Sequence, residues 1–253
     1  MDVTELPDGT RIIWPPIEKV KSKITIGQVI GELLLTAGVV LLLFVGYKAI
    51  LQDTVIGESQ NELARSFSHE KPEPSKPQKS FVDLDKVSKL ADIFGRMYVP
   101  RFGDNWTRLV AEGTRWYPVL NEIGVGHYRS TAMPGEVGNF AVAGHRGGFG
   151  GAFREMHRLV EGDRVYLETN NSWFVYKYLE TEIVEPEDTG VIEPVPVKLD
   201  GAVEGSRYMT MTSCTPIFVN THRIIAWFEL EETIEIDPEN PLDYAAVLER
   251  VGN

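Results

Sequence analysis

A single cysteine, Cys214, occurs in the 253 residues, and its neighbours bear on what a lone sulfur could do. It ends the run Tyr208-Met-Thr-Met-Thr-Ser213 and precedes Thr215-Pro216, which breaks a strand, so a sheet would hold the thiol while the loops leave it reachable. A thiol attacks a carbonyl only with help. It needs a histidine to exchange its proton and a cation or backbone donors to carry the oxyanion. Of the five histidines, His69 lies among prolines and charges and is set aside. His145 closes the apolar run Phe140-Ala-Val-Ala-Gly144 and opens a glycine-rich turn. His127 precedes Tyr128 in a loop, His157 falls on a predicted helix, and His222 abuts Arg223. The strand-end position favours His145 and leaves His127 and His222 open. Arg223 begins the run Ile224 to Leu230. If that strand lies beside the Cys214 strand, the short loop returns Arg223 to the level of the thiol, where a permanently charged guanidinium would polarise a carbonyl and hold a peptide. The competing reading of Cys214 is a small, buried and inert apolar side chain.

The elements that must position these groups read as β. Past Gly95 the chain breaks into short apolar or alternating runs separated by Gly, Pro and Asn: 97–102, 139–143, 164–169, 173–179, 208–214 and 223–230. In the last, Ile224, Ala226, Phe228 and Leu230 share one face, with Ile225 and Trp227 on the other. Asn170-Asn171-Ser172 between two runs signals a hairpin. The spacing predicts a mainly antiparallel barrel with two short helices, Gly151 to Leu159 and Leu242 to Arg250, the second introduced by Asn240, Pro241 and Asp243. Six carboxylates between Glu229 and Glu239 read as a solvated edge.

Upstream, Leu33 to Tyr47 reads LLLTAGVVLLLFVGY, and from Ile24 to Leu51 the apolar stretch is interrupted only by Gln28, Glu32 and Lys48. About 20 apolar residues cross a hydrocarbon core, so residues 24–51 are predicted to form one transmembrane helix. Lys19, Lys21 and Lys23 precede it and only Lys48 follows closely, which places residues 1–23 in the cytoplasm and the remainder outside. A cleaved signal peptide is disfavoured, because the stretch exceeds an ordinary h-region and no small-x-small site follows Tyr47. Residues 66–80, with Pro72, Pro74 and Pro77 among charges, read as a tether. Leu84, Val87, Ala91 and Phe94 have helical spacing, so 52–94 is expected to be a partly helical linker before a domain at 95–231 and an acidic extension at 232–253. The net charge of −12 lies entirely downstream of residue 51, where 20 basic groups face 32 acidic ones. That balance argues against nucleic-acid binding, and a lone cysteine excludes an internal disulfide framework or cysteine-rich zinc module.

The segments GVGHYRSTAMPGEVGNFAVAGHR (124–146) and TMTSCTP (210–216), with Arg223 after them, resemble the sortases of Gram-positive bacteria. That family pairs an Ala-Gly-His strand end with a TLxTC strand and a downstream arginine. Met211 stands in place of the family leucine and Ser213 in place of the threonine before the cysteine. The resemblance implies an eight-stranded β-barrel tethered by an N-terminal helix. It assigns Cys214 as nucleophile, His145 as general acid/base, Arg223 to the oxyanion or substrate, and Tyr128, Thr212 and Ser213 to the substrate side. The GHY stretch with Tyr128 is similar to class E housekeeping sortases, which act on LAxTG-type signals.

The implied reaction is transpeptidation without metal or organic cofactor. A sorting signal would be cleaved between Thr and Gly, and the protein transferred to an amine of lipid II or peptidoglycan. Pilin-polymerising sortases are the near alternative, although residues 66–95 lack their Asp-Pro-aromatic lid motif. A non-catalytic anchored β-domain that binds a wall ligand, and a papain-type hydrolase, are the more distant ones. The latter is weakened because His145 precedes Cys214 by 69 residues.

Overall fold

In the computed structural model, residues 3–5, 9, 11–13, 24–47, 52–67 and 91–252 are described. They fall into two units, Met1–Val45 and Gly46–Asn253. Lys19, Lys21, Lys23, Lys48, His69, residues 68–80 of the expected tether, and Leu84 and Val87 of the spaced apolar set lie outside the described residues.

In the first unit, β1 (Val3–Glu5) and β2 (Arg11–Ile13) pair antiparallel. Helix α1 (Ile26–Gly46) carries apolar side chains on every face and buries none of them. Its 21 residues extend about 31 Å at 1.5 Å per residue, enough to cross a bilayer core. Thr25 starts it with a reciprocal cap. Gln28 Oε1 accepts from Thr25 N at 2.9 Å, and Gln28 N donates to Thr25 Oγ1 at 3.3 Å.

The second unit is built on eight strands: β3 (Ile93–Tyr98), β4 (Thr107–Glu112), β5 (Gly124–His127), β6 (Gly138–Gly144), β7 (Arg164–Thr169), β8 (Ser172–Val184), β9 (Arg207–Thr215) and β10 (His222–Glu235). They close into a barrel in the order β10-β8-β7-β3-β4-β5-β6-β9. Pairing is antiparallel as expected, except at two junctions, β4 with β5 and β6 with β9, which are parallel. Met97, Val110, Val125, Phe140, Val142, Met209, Met211, Ala226 and Phe228 fill the interior. Burying a large apolar side chain stabilises by roughly 1.5–3 kcal/mol. The alternation anticipated in β10 holds. Ile224, Ala226 and Phe228 point inward, whereas Ile225 and Trp227 pack outside with Val191, Leu199 and Tyr208.

Four expectations are corrected. The expected strand 97–102 stops at Tyr98, because Pro100 cannot donate to a ladder, and Pro100–Phe102 forms a 3-10 turn. The linker's helical part is α2 (Gln52–Ser66), and it docks on the barrel through Leu63 and Ala64 against Leu109, Ala111 and Ile123. Arg96 caps its C-terminal end, donating to the carbonyls of Ala64 and Phe67 at 3.0 and 3.4 Å while holding Glu168 at 2.6 Å. The last helix, α3 (Tyr244–Val251), is capped by Asp243, whose carboxylate accepts from Ala246 N at 2.9 Å, and Asn240 plays no part in the cap. Val247 packs with Tyr166 and Trp173, so the acidic extension also braces the barrel. The expected helix from Gly151 is a short 3-10 turn, Arg154–Arg158.

Candidate active site

The parallel junction determines which strand ends meet. Register between β6 and β9 runs to Ala143↔Thr212, and Ser213 Oγ donates to Gly144 O at 2.7 Å, so both strands reach the same rim together. The residues that follow are His145 on one strand and Cys214 on the other. On the other flank of β9, antiparallel register places Arg223 of β10 directly opposite Cys214. Opposed residues of an antiparallel pair project from the same face of the sheet. Cys214 is a free, half-buried thiol.

The helical segment Trp116–Ile123 and the turn after β6 enclose His145. Asn121 Oδ1 lies 2.8 Å from His145 Nε2. An amide oxygen only accepts, so Nε2 carries the hydrogen and Nδ1 is left as the basic nitrogen. The imidazole meets Trp116 edge-on at 6.0 Å and lies against Phe149 at 5.3 Å. Burial among these rings pushes its pKa below the ordinary histidine value and favours the neutral form. Two carbonyls of its own loop hold the Arg223 guanidinium, since Nη1 donates to Asn220 O at 3.1 Å and His222 O at 2.9 Å.

The other described histidines are engaged elsewhere. His127 is buried, with Nδ1 2.9 Å from Glu112 Oε2 and Nε2 3.1 Å from Ala132 O. His222 faces Glu185 at 3.3 Å, and Arg146 donates to His157 Nδ1 at 3.1 Å. Tyr128, just past β5, places its hydroxyl 2.9 Å from Thr212 Oγ1, two residues before the cysteine. It also lines a cleft of about 750 Å³ with Arg115, Val119 and Arg129, and neither Cys214 nor His145 forms part of its wall. Ser213 is buried, and its hydroxyl joins two strands. Asn121 was not anticipated. It lies 24 residues before its histidine in an irregular turn, and no residue pattern marks it.

The sortase-domain family model matches residues 97–231, which includes Asn121, Tyr128, His145, Cys214 and Arg223 and more than half of the chain. The chain belongs to the sortase family. Two sortases of Streptomyces coelicolor are similar to it. SrtE1 is 32% identical over 211 residues, covering 81% of this chain and 57% of the relative. SrtE2 is 31% identical over 219 residues, covering 83% of this chain and 84% of the relative. The chain thus spans little more than half the length of the first. The solved structure of sortase E from Streptomyces avermitilis is 40% identical, with a TM-score of 0.54, over 61% of this sortase and 97% of that chain. These relatives are class E enzymes, and the named sortases are cysteine transpeptidases.

Proposed function

We propose that this sortase is a membrane-anchored cysteine transpeptidase of the class E type. It would cleave an LAxTG or LPxTG-type sorting signal between Thr and Gly and pass the protein to an amine of lipid II or peptidoglycan. The observation that carries the reading is the convergence of three strand ends, with Arg223 in register with Cys214 and His145 ending the parallel neighbour. In this reading His145 Nδ1 takes the thiol proton and the Cys214 sulfur adds to the Thr carbonyl carbon. Arg223 stabilises the oxyanion. The C–N bond breaks as His145 returns the proton to the glycine amine, leaving a thioester. The acceptor amine then gives a proton to His145 and displaces the sulfur, which regains its hydrogen.

Tyr128 and Thr212, joined through their hydroxyls, flank this path as substrate contacts, while Ser213 acts by pinning the two strand ends. Helix α1 would hold the enzyme in the membrane with residues 1–23 cytoplasmic and the barrel outside. There both the unprocessed substrate and a lipid-linked acceptor are concentrated. The test is mass spectrometry of the enzyme incubated with LAxTG and LPxTG peptides, with and without an added amine. Wild type should form a thioester on Cys214 and an amine-dependent product. Cys214→Ala and His145→Ala should form neither, and a product indifferent to the amine would indicate a hydrolase.

A further inference from the structure

Helix α2 precedes the sortase domain and contributes no group to the reaction described above, yet it grips the surroundings of His145 from behind. Gln60 is fully buried, and its amide nitrogen donates to two carbonyls, Asn121 O at 3.2 Å and Phe149 O at 3.1 Å. Those two residues are the ones that orient the imidazole, Asn121 through Nε2 and Phe149 through its ring. One turn or more earlier, the Asp53 carboxylate accepts from Gly148 N at 3.0 Å in the same loop and pairs with Arg154.

The contact is built for close approach. A Cβ on Gly57 would meet Gly150 O at 3.2 Å, and a Cβ on Gly150 would meet Gln60 Oε1 at 2.5 Å and Gly57 N at 3.0 Å. Phe149 itself sits at φ 51°, a conformation a non-glycine residue holds only when its surroundings impose it. We infer that α2 is a positioning element of the active site, with Gln60 holding the Asn121 turn and the 145–151 loop at the separation His145 needs.

The inference rests on the reading of His145 as the proton-transfer group. Its logic is geometric. Proton transfer requires hydrogen-bond reach, and small misplacements far from the chemistry lower the rate without altering substrate contacts.

The experiment uses the full chain in detergent. Gln60→Met keeps the length of the side chain and removes both N–H donors. Amine-dependent peptide transfer should lose roughly five- to twentyfold in kcat, with KM within about twofold of wild type. The limb of the pH profile set by His145 should move to higher pH, because a loosened loop admits water to the imidazole. Gly150→Ala, which pushes the loop from the other side of the same contact, should give the same two changes and serves where Gln60→Met does not fold. Leu63→Ala weakens the docking of α2 against Leu109, Ala111 and Ile123 while keeping both Gln60 N–H donors. It should lower thermal stability while kcat at a temperature well below unfolding stays within about twofold.

Wild-type kcat and pH profile in both loop-contact variants would overturn the inference, as would an equal loss of kcat in Leu63→Ala. Activity surviving in His145→Ala would instead overturn the reading of His145 itself.

Discussion

Burial favours the neutral form of His145, and that has a consequence for stability. In the unfolded chain its imidazole takes up a proton at the ordinary value of 6.5, whereas in the barrel burial lowers the pKa. Between the two values the unfolded state binds more protons, so the stability tied to this group is present above the ordinary value and is lost as pH falls through the window beneath it. Urea unfolding midpoints should therefore drop from about pH 7.5 to about pH 5.5, and His145→Gln should flatten that drop. A midpoint falling as steeply in the variant would remove His145 as the cause. Arg223 makes the second residue-scale prediction. Directly opposite the thiol, its planar fork can hold a carbonyl oxygen in a way a point charge cannot. Thioester formation should fall about 10²- to 10³-fold in Arg223→Ala and recover only in part in Arg223→Lys, as read by single-turnover mass spectrometry.

At the scale of elements, legibility in the sequence depended on whether an element's partner was close along the chain. The turn Asn170-Asn171 joins β7 to β8 as anticipated, and the short loop after Cys214 returns Arg223 to its level because β9 and β10 are consecutive and antiparallel. The alternation of β10 was readable because each of its faces meets a different apolar layer. Strands β4 and β5 were not recognised. In β4 the residues are buried on both faces, so no alternation shows. Arg108 interrupts the apolar pattern, and besides the neighbouring Thr107 carbonyl its guanidinium donates to Asn61 and Gly150. Asn61 and Gly150 lie far along the chain, so nothing local announces them. The same holds for Asn121. The cap of α3 is local, and its contribution can be isolated. Asp243→Ala should destabilise the protein by about 1 kcal/mol in denaturant titrations without changing transfer kinetics. An unchanged midpoint would mean that the packing of Tyr244, Val247, Leu248 and Val251 and the Arg250–Glu232 pair hold α3 without the cap.

For the whole molecule, the proposed function gives the apolar helix and the barrel separable tasks. Deleting residues 1–47, which keeps α2, should leave cleavage of a soluble peptide within about twofold of the full chain while transfer to an acceptor embedded in vesicles falls roughly 10- to 100-fold. Equal losses in both assays would argue that α1 supports the barrel's structure as well as its location. The strand order carries one more implication. Cys214 stands on a strand inserted between β6 and β10, and β10 is the last to be synthesised. Until β10 pairs with β9, Cys214 has no guanidinium across the ladder, so in the proposed reading the last strand completes the catalytic set. On that reading a chain still lacking β10 would hold its sulfur without the group that carries the oxyanion, and transfer would begin only once the cylinder closes.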